Sequence, residues 1–573
     1  MLREGVLILI VLTGCYNSVE AFDEAYMSLL SLSNWLLSVQ DGSGVFNVPY
    51  SQEFPGYKDA LILGYAAMVL LDVYKLTRSP EYLEAANKTL NLLLGWQTRE
   101  GGWPDHTKFG MEGIFYPLMA YSKYKIYTGS STYDNVTLKA AYRLLSLIKS
   151  SGVRYVFEAG EYCYALNLAW EATGNPEVRE SAVDVLSLIV ESFDGEAGAW
   201  NTDLGGNGPA GIWDAVLPAL PLLNSGNDTL RAMAAKSREW AYENLRSVEL
   251  GGYKACIVTS EVVVTLEAYI DIENTYTHFT AEYLILSSIL GHNSSLEALN
   301  WLLAMQSDEG GFYYRKTYTG VTDERVYLWD SLWAGFGLVV FLNKMGRQYY
   351  QDSRMKLLTE VEGLERVGVW VNDTLKLISE ADVLLGDGLI PAALQKLSQA
   401  INELNKSHNA FTEISRFENM TVDMDKRGCN VSHLSAIVSK CWKLYNRGML
   451  DEATMIARQG VIEAERAEVE ARAAARARID RASQAVSKAL KYGVRVDMAE
   501  CYLSIAFSSY YEGNYTSAIK YAEMSEELAM DRLNSRLNTL KYLLTLAVGA
   551  FAVTLILIFQ RRRSPKQPSP TDC

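Results

Sequence analysis

Cysteine and histidine are scarce in this chain. Seven cysteines occur among 573 residues, and no two of them form a CxxC pair. The five histidines show neither HxxxH nor HExxH spacing. This pattern argues against a disulfide framework and against a zinc site, although Cys429 and Cys441 are near enough in sequence to bridge locally.

A basic surface is also lacking. Acidic residues outnumber basic ones by 68 to 53, which gives a formal net charge of -15 and a pI near 5.1. A protein that binds nucleic acid needs clustered positive charge for the phosphates, so we expect no nucleic-acid partner. The hydrophobic content of 49% is that of a globular protein with a buried core.

The N-terminal segment has the features of a secretory signal. Arg3 precedes the apolar run 6–12, and Val19-Glu20-Ala21 offers a small-residue cleavage site. These features predict a signal peptide over residues 1–21. Alternatively, Leu12-Thr13-Gly14-Cys15 is a lipobox, in which case Cys15 becomes a lipidated N-terminus.

The C-terminal segment predicts a membrane anchor. Residues 543–559 are apolar and uncharged, about 26 Å long as a helix, and Arg561, Arg562 and Arg563 follow. Because basic residues stay in the cytoplasm, we expect a single-pass protein of the cell membrane, with a transmembrane helix over 541–560, a cytoplasmic tail over 561–573 and the rest outside. Nine N-glycosylation sequons, all before this run, agree with an external glycoprotein: they begin at Asn87, Asn135, Asn227, Asn293, Asn372, Asn405, Asn419, Asn430 and Asn514.

One short motif recurs along the first 350 residues. A glutamine or other polar residue is followed by a glycine-containing turn that ends in an aromatic residue, best seen at Gln97 to Trp103 and Gln306 to Phe312. The closing aromatics are spaced by 45 to 59 residues and are Phe46, Trp103, Tyr155, Trp200, Tyr253 and Phe312. Each interval has room for one helical hairpin.

The hydrophobic pattern within each interval alternates between two kinds of helix. Residues 57–76 are apolar nearly all round, as in a helix buried on every side, whereas residues 80–97 have a polar face. Six such pairs predict an all-α fold, an (α/α)6 toroid over residues 22–350 with a parallel inner ring. The β-branched stretch 255–277 predicts an inserted strand pair.

The repeats resemble the QW-type motifs of the terpenoid cyclase and protein prenyltransferase superfamily. The resemblance rests on Trp35/Gln40, Trp96/Gln97 and Trp301/Gln306. It implies that each glutamine caps a helix end and that the turn aromatic stacks on the neighbouring repeat. The chain has neither the DxDD acid of squalene cyclisation nor a Gly-Cys-Gly-Glu-Gln thioester, so a lipid-substrate enzyme is only a minor alternative.

A second repeat follows residue 350. Turns at Gly386, Gly448 and Gly513 are each followed by an alanine-rich amphipathic segment. These segments resemble tetratricopeptide-type hairpins, but the spacing requires longer helices between them. We therefore expect an elongated helical stalk over 351–540, which offers a surface for a protein partner.

Acidic residues recur where the inner helices are predicted to begin. They are Asp59, Asp214, Asp330, Glu161 and Glu282. Helix dipoles would keep such carboxylates ionised, as bases, nucleophiles or calcium ligands, and helix capping is the alternative role. A proton donor would then come from Asp105, Glu112, Glu158 or Asp203. No other metal or cofactor is expected.

Aromatic and basic residues accompany these acids. Sugar-stacking platforms are expected at Tyr57, Trp103, Trp213, Tyr314, Trp329 and Trp333. Arg315, with Lys316 and Arg325, is suited to an anionic glycan, and solvated charge is the alternative. The sequence thus predicts a surface protein that binds or cleaves an extracellular polysaccharide as a hydrolase or lyase. The rival hypothesis is a non-catalytic scaffold or adhesion protein.

Overall fold

A computed structural model describes residues 2–48, 59–104, 112–204, 208–257 and 273–562, with side chains from Ala21 onward except that of Glu112. It contains two compact units. The first comprises Met1–Glu360 and Thr374–Ile401, and the second comprises Val361–Asp373 and Asn402–Cys573. Each unit is described separately below.

The first unit is predominantly helical, which confirms the all-α part of the predicted fold. Its outer helices are α1 (Leu2–Val39), α3 (Pro80–Trp96), α5 (Asp134–Ser151), α7 (Pro176–Glu191), α9 (Asp228–Leu245) and α11 (Ser294–Ala304). Its inner helices are α2 (Ala60–Thr77), α4 (Glu112–Thr128), α6 (Val156–Thr173), α8 (Ile212–Val216), α10 (Thr277–Ile289) and α12 (Leu328–Arg366). Helix α8 continues as a 3-10 helix, Leu217–Leu223, where Pro218 and Pro221 cannot donate backbone hydrogen bonds. Two further helices follow, α13 (Asn372–Gly386) and α14 (Ile390–Lys426), and α14 belongs to the second unit from Asn402 onward.

The inner helices pack in sequence and close on themselves. Helix α2 packs on α4, α4 on α6, α6 on the 3-10 helix, and α8 on α10. Trp333 of α12 completes the ring, with its ring centroid 4.9 Å from His278 of α10 and 5.3 Å from Tyr65 of α2. The chain ends of the ring also meet, because Phe22 of α1 stacks on Phe341 of α12 at 5.0 Å.

Three glutamines join neighbouring hairpins. Gln40 Nε2 donates to the carbonyl of Ala85 in α3 at 2.9 Å, and Gln97 Nε2 donates to that of Val136 in α5 at 3.1 Å. Gln306 Nε2 donates to the carbonyl of Ser28 in α1 at 2.9 Å. Each amide therefore links the turn after one outer helix to the next outer helix, and the last link closes the circle. Gln306 is thus structural, as expected.

The turn glycines are required by close packing. Gly44, Gly101 and Gly310 all have positive φ angles, of 93°, 95° and 105°. A methyl group on Gly101 would overlap the carbonyl oxygen of Lys139 in α5, and one on Gly310 would overlap that of Ser31 in α1. The motif recurs because backbone meets backbone at these points.

A small sheet includes the end of the stretch 255–277; residues 258–272, where most of the predicted strand pair falls, lie outside the described residues. Strand β3 (Thr275–Tyr276) pairs antiparallel with β4 (Tyr313–Lys316), which pairs with β5 (Thr322–Val326). The stretch 255–277 supplies one strand among its described residues, and its partners come from the segment before α12. Earlier in the chain, β1 (Phe193–Asp194) and β2 (Ala199–Trp200) form a separate two-stranded antiparallel ribbon.

The second unit contains long helical hairpins. Its helices include α15 (Ser432–Tyr445), α16 (Leu450–Lys491), α17 (Asp497–Tyr511) and α18 (Tyr515–Arg562). Helix α18 packs on both α16 and α17. Turns containing Gly448 and Gly513 separate the helices where the sequence predicted them, and both glycines have positive φ. The amphipathic segment after Gly448 continues without interruption to Lys491. The longer helix that was expected between the turns is therefore continuous with this segment, as α16.

Two described helices are long and apolar enough to cross a bilayer. Helix α2 is an inner helix of the ring, and most of its residues are buried in the protein. The apolar run of α18 is fully exposed, which is consistent with the predicted anchor. These two observations identify α18 as the candidate membrane span.

Candidate functional site

Polar and aromatic side chains meet inside the ring near the N-terminal ends of the inner helices. They lie in the first two turns of five of these helices and contact one another. We call them the central cluster: Tyr65, Tyr116, Glu161, His278, Glu282, Trp329 and Trp333. The parallel arrangement of the inner helices brings residues that are far apart in sequence to one place.

Glu161 carries a proton more readily than an ordinary glutamate. Its side chain is buried, and its Oε1 accepts a hydrogen bond from the Tyr116 hydroxyl at 2.9 Å. Burial raises the pKa of Glu161 to about 8, although the Tyr116 hydrogen bond lowers it. The prediction that this carboxyl stays ionised at a helix start was wrong, because α6 begins at Val156 and Glu161 lies in its second turn.

His278 and Glu282 form a close pair on α10. Nε2 of His278 lies 3.0 Å from Oε1 of Glu282, one helical turn further along. The indole Nε1 of Trp329 donates to Nδ1 of His278 at 3.2 Å. Because an indole N–H only donates, Nδ1 is the acceptor nitrogen, and the ring proton of neutral His278 belongs on Nε2, facing Glu282. Burial raises the pKa of Glu282.

Several polar atoms of the cluster have unmet hydrogen-bonding capacity. Among the described residues, the Tyr65 hydroxyl, Trp333 Nε1 and Glu282 Oε2 are buried and have no hydrogen-bond partner. Leaving such groups unpaired costs about 1–3 kcal/mol each. Two donors and one acceptor in neighbouring side chains match a small polar ligand that carries hydroxyl groups.

The three aspartates are buried at helix starts. Asp59 is the N-cap of α2 and accepts from the Leu61 amide at 3.2 Å, and Asp330 lies in the first turn of α12. Asp214 accepts from the Ala210 and Gly211 amides at 2.9 and 3.0 Å and from the Thr202 hydroxyl at 2.8 Å. Burial raises the pKa of Asp214 to about 7, although these hydrogen bonds lower it. Asp59 and Asp214 therefore have the geometry of caps.

The predicted aromatic platforms are distributed over several places. Trp329 and Trp333 belong to the central cluster, and Trp213 packs beside it against Phe279, with ring centroids 5.9 Å apart. Trp103 instead packs between α3 and α4, where its Nε1 donates to the Leu93 carbonyl at 2.7 Å. Tyr314 and Arg315 lie on β4. Two predicted site residues lie outside the described part of the chain: Tyr57 and Asp105.

Sequence reasoning left three cluster members out of the predicted site: Tyr65, Tyr116 and His278. Tyr65 and Tyr116 read only as apolar helix residues, because their partners lie on other helices. His278 and Glu282 have the i, i+4 spacing that places two side chains on one helix face, which was a usable signal. The geometry also yields no calcium site: within the described ranges, no three His, Cys, Asp or Glu side chains are grouped as metal ligands would be.

Comparisons with known proteins give fold similarity alone. No protein family matches the chain, and no curated protein is similar to it in sequence. One similar solved structure is a sugar epimerase from a ruminal bacterium, with 14% identity and a TM-score of 0.46, covering 56% of this chain and 97% of that one. Another is cellobiose 2-epimerase from Bacillus thermoamylovorans B4167, with 12% identity and a TM-score of 0.46, covering 57% and 99%. A third is a D-mannose isomerase, with 14% identity and a TM-score of 0.43, covering 55% and 97%.

Similarity at this level identifies neither a substrate nor a reaction. The resemblance to the terpenoid cyclase superfamily is not confirmed by these comparisons and stays a prediction.

Proposed function

We propose that the first unit is a carbohydrate-active enzyme that cleaves a polysaccharide by acid and base catalysis in the central cluster. The supporting observation is that Glu161, whose pKa is raised by burial, lies in the same cluster of aromatic rings as the His278–Glu282 pair. Aromatic faces bind the apolar faces of sugar rings, and the unpaired polar atoms supply partners for their hydroxyl groups.

The two acidic residues have different roles in this proposal. Glu161 holds its proton at neutral pH and donates it to the oxygen of the leaving sugar. Glu282 is the base: its Oε2 accepts a proton from water in a hydrolase, or from the sugar carbon in a lyase. The Nε2–H of His278, which faces Oε1, favours the ionised form of Glu282 that this role needs. Trp329 positions His278 by holding its Nδ1 as an acceptor.

The proposed setting is outside the cell. The signal features of residues 1–21, the sequons and the exposed apolar run of α18 support a glycoprotein anchored in the cell membrane by α18. In this arrangement the enzyme acts on glycans near its own membrane.

A non-catalytic scaffold or adhesion protein is the second candidate. It is favoured by the packing of the cluster: Tyr65 stacks on Tyr116 at 4.4 Å and meets Trp329 and Trp333 edge-on, so the acids have little exposed surface. Within the described residues, His278 and Trp329 are the cluster members whose side chains are partly exposed, that of His278 by 12%.

Turnover by the full-length protein distinguishes the two candidates. A panel of polysaccharides is incubated with the detergent-solubilised protein, and released ends are measured. We expect Glu161→Gln to lower kcat by about 100-fold or more, with a smaller change in KM, since it removes the transferable proton. Activity of the unaltered protein should fall as pH rises through about 8, where Glu161 loses its proton.

The matched control is Glu171→Gln, which changes an exposed glutamate on the same helix. Thermal melting establishes that each variant is folded. Turnover by Glu161→Gln equal to that of the control would remove Glu161 from the mechanism, and no turnover of any polysaccharide by the unaltered protein would favour the scaffold.

A further inference from the structure

The three-stranded sheet of β3, β4 and β5 adjoins the central cluster through its connections. Strand β3 ends at Tyr276, directly before α10, and His278 is two residues further on. Strand β5 ends at Val326, two residues before α12, and Trp329 lies in the first turn of that helix. A group bound on this sheet is therefore close to the proposed catalytic residues.

Two arginines on this sheet share one carboxylate. Arg325 binds Asp323 through both Nε and Nη2, at 2.9 and 2.7 Å. Arg315 approaches the same carboxylate less closely, with its Nε 3.4 Å from Oδ2. Arg325 thus makes the close contacts with Asp323, and Arg315 makes a long one.

Aromatic rings hold the Arg315 guanidinium in place. It lies 5.3 Å from the ring centroid of Tyr314 and 5.9 Å from that of Tyr276, and its Nη1 lies 3.4 Å from the Tyr276 hydroxyl. Its side chain is 22% exposed. A guanidinium has five N–H donors, and the two contacts at 3.4 Å leave it able to bind a further anion.

The pair Arg354–Asp382 provides a contrast within the same unit. There one arginine binds one aspartate through two contacts, at 2.7 and 2.8 Å, so the charges balance. At Asp323, by contrast, the Arg315 guanidinium lies at the edge of the carboxylate, with its Nε 3.4 Å from Oδ2.

We infer that the substrate is a negatively charged glycan whose carboxylate or sulfate binds Arg315. This inference rests on the proposed function and adds the substrate class. The contact with Asp323 shows that the Arg315 guanidinium accepts a carboxylate oxygen as a neighbour, and the aromatic rings beside it keep it in position. In this proposal, the sheet makes the enzyme selective for negatively charged glycans.

Binding of matched glycans tests the inference. Full-length protein in detergent is titrated with an oligogalacturonate and with its fully methyl-esterified form, which has the same backbone without the charge. A sulfated oligosaccharide forms a third arm, to separate carboxylate from sulfate. We expect the charged oligomers to bind at least about tenfold more tightly than the ester, and added salt to reduce the difference.

Variants assign the effect to Arg315. Arg315→Gln should reduce binding of the charged oligomers to the level of the ester, whereas Arg315→Lys, which keeps the charge, should retain part of the preference. Arg354→Gln is the control and should change nothing. Equal binding of charged and esterified oligomers, or an unchanged preference in Arg315→Gln with a normal melting curve, would overturn the inference.

The two proposals fail in different ways. Turnover of neutral polysaccharides that depends on Glu161 would leave the proposed function standing and refute the charge preference. Charged glycans that bind through Arg315 without being cleaved would support the inference about binding and refute the enzyme.

Discussion

Glu161 shows how burial outweighs other influences on one carboxyl group. It has one neutral hydrogen-bond donor, Tyr116, and no cation within contact distance among the described residues. Glu282 and Glu158 add repulsion to the charged form. The protonated form of Glu161 is therefore favoured in the folded protein.

Glu161→Gln should make stability less dependent on pH. Below about pH 4 the folded and unfolded chains both hold this proton. As pH rises towards about 8, the unfolded chain releases it while the folded protein keeps it, so stability falls. Glutamine cannot ionise, so at pH 9 the variant should be more stable than the unaltered protein by on the order of 2–4 kcal/mol.

Urea unfolding at pH 4, 7 and 9 measures this effect, with Glu171→Gln as the control. Burial also raises the pKa of Asp214, so part of the dependence of stability on pH remains in every variant. Parallel curves for the variant and the control would show that Glu161 ionises normally in the folded state.

Individual site residues could be predicted only where they share a position in a repeated sequence pattern. The acids at the inner helix starts could be found because they follow a repeated position. The contact of Glu161 with Tyr116 could not, because the two residues lie on different helices. Trp103 has the same residue type as Trp333, yet it packs in a hairpin rather than in the cluster.

At the scale of elements, the repeated turn is a packing device. The positive φ of Gly101 and its contact with the α5 backbone explain why glycine occupies this position in the motif. Such features depend on local geometry that recurs, so the hairpins could be predicted well. Helix starts were less predictable: Glu161 was expected where an inner helix begins, but α6 begins at Val156, more than one turn earlier.

The turn glycines provide a prediction with an internal control. Gly101 and Gly129 both have positive φ, at 95° and 70°, but only Gly101 is packed against another helix. Gly129→Ala should cost about 1 kcal/mol through backbone strain alone. Gly101→Ala should cost about 2–4 kcal/mol, because its methyl group also displaces α5.

Chemical unfolding of both variants at one pH gives the comparison. Equal losses of stability would mean that the contact between the turn and α5 contributes nothing beyond the φ angle.

Strands β4 and β5 were missed because they are short and polar. Tyr313 to Lys316 and Thr322 to Val326 lack the alternation of apolar residues that marks a half-buried strand. The Gly320 turn between them, with φ of 81°, was the available signal.

At the scale of the whole molecule, α18 predicts attachment to a membrane. A chain shortened to end at residue 540 should lose the apolar run, and a chain shortened to end at 564 should keep it together with the three arginines. We expect only the shorter chain to leave the membrane fraction on carbonate extraction, because about 17 apolar residues suffice to span the hydrocarbon core.

Folding of each truncated chain is checked by circular dichroism. Recovery of the full-length protein in the soluble fraction would instead assign the exposed run to contacts with another protein.

The stacking of Phe22 on Phe341 has a consequence for biosynthesis. The seam of the ring joins its first helix to its last, so the circle stays incomplete until nearly two thirds of the polypeptide has emerged from the ribosome. Until then, the apolar faces on both sides of the seam are without their partners. The seam brings the two ends of the ring together. A circularly permuted chain that begins at a different hairpin would therefore keep each hairpin of the ring packed against the same two neighbouring hairpins.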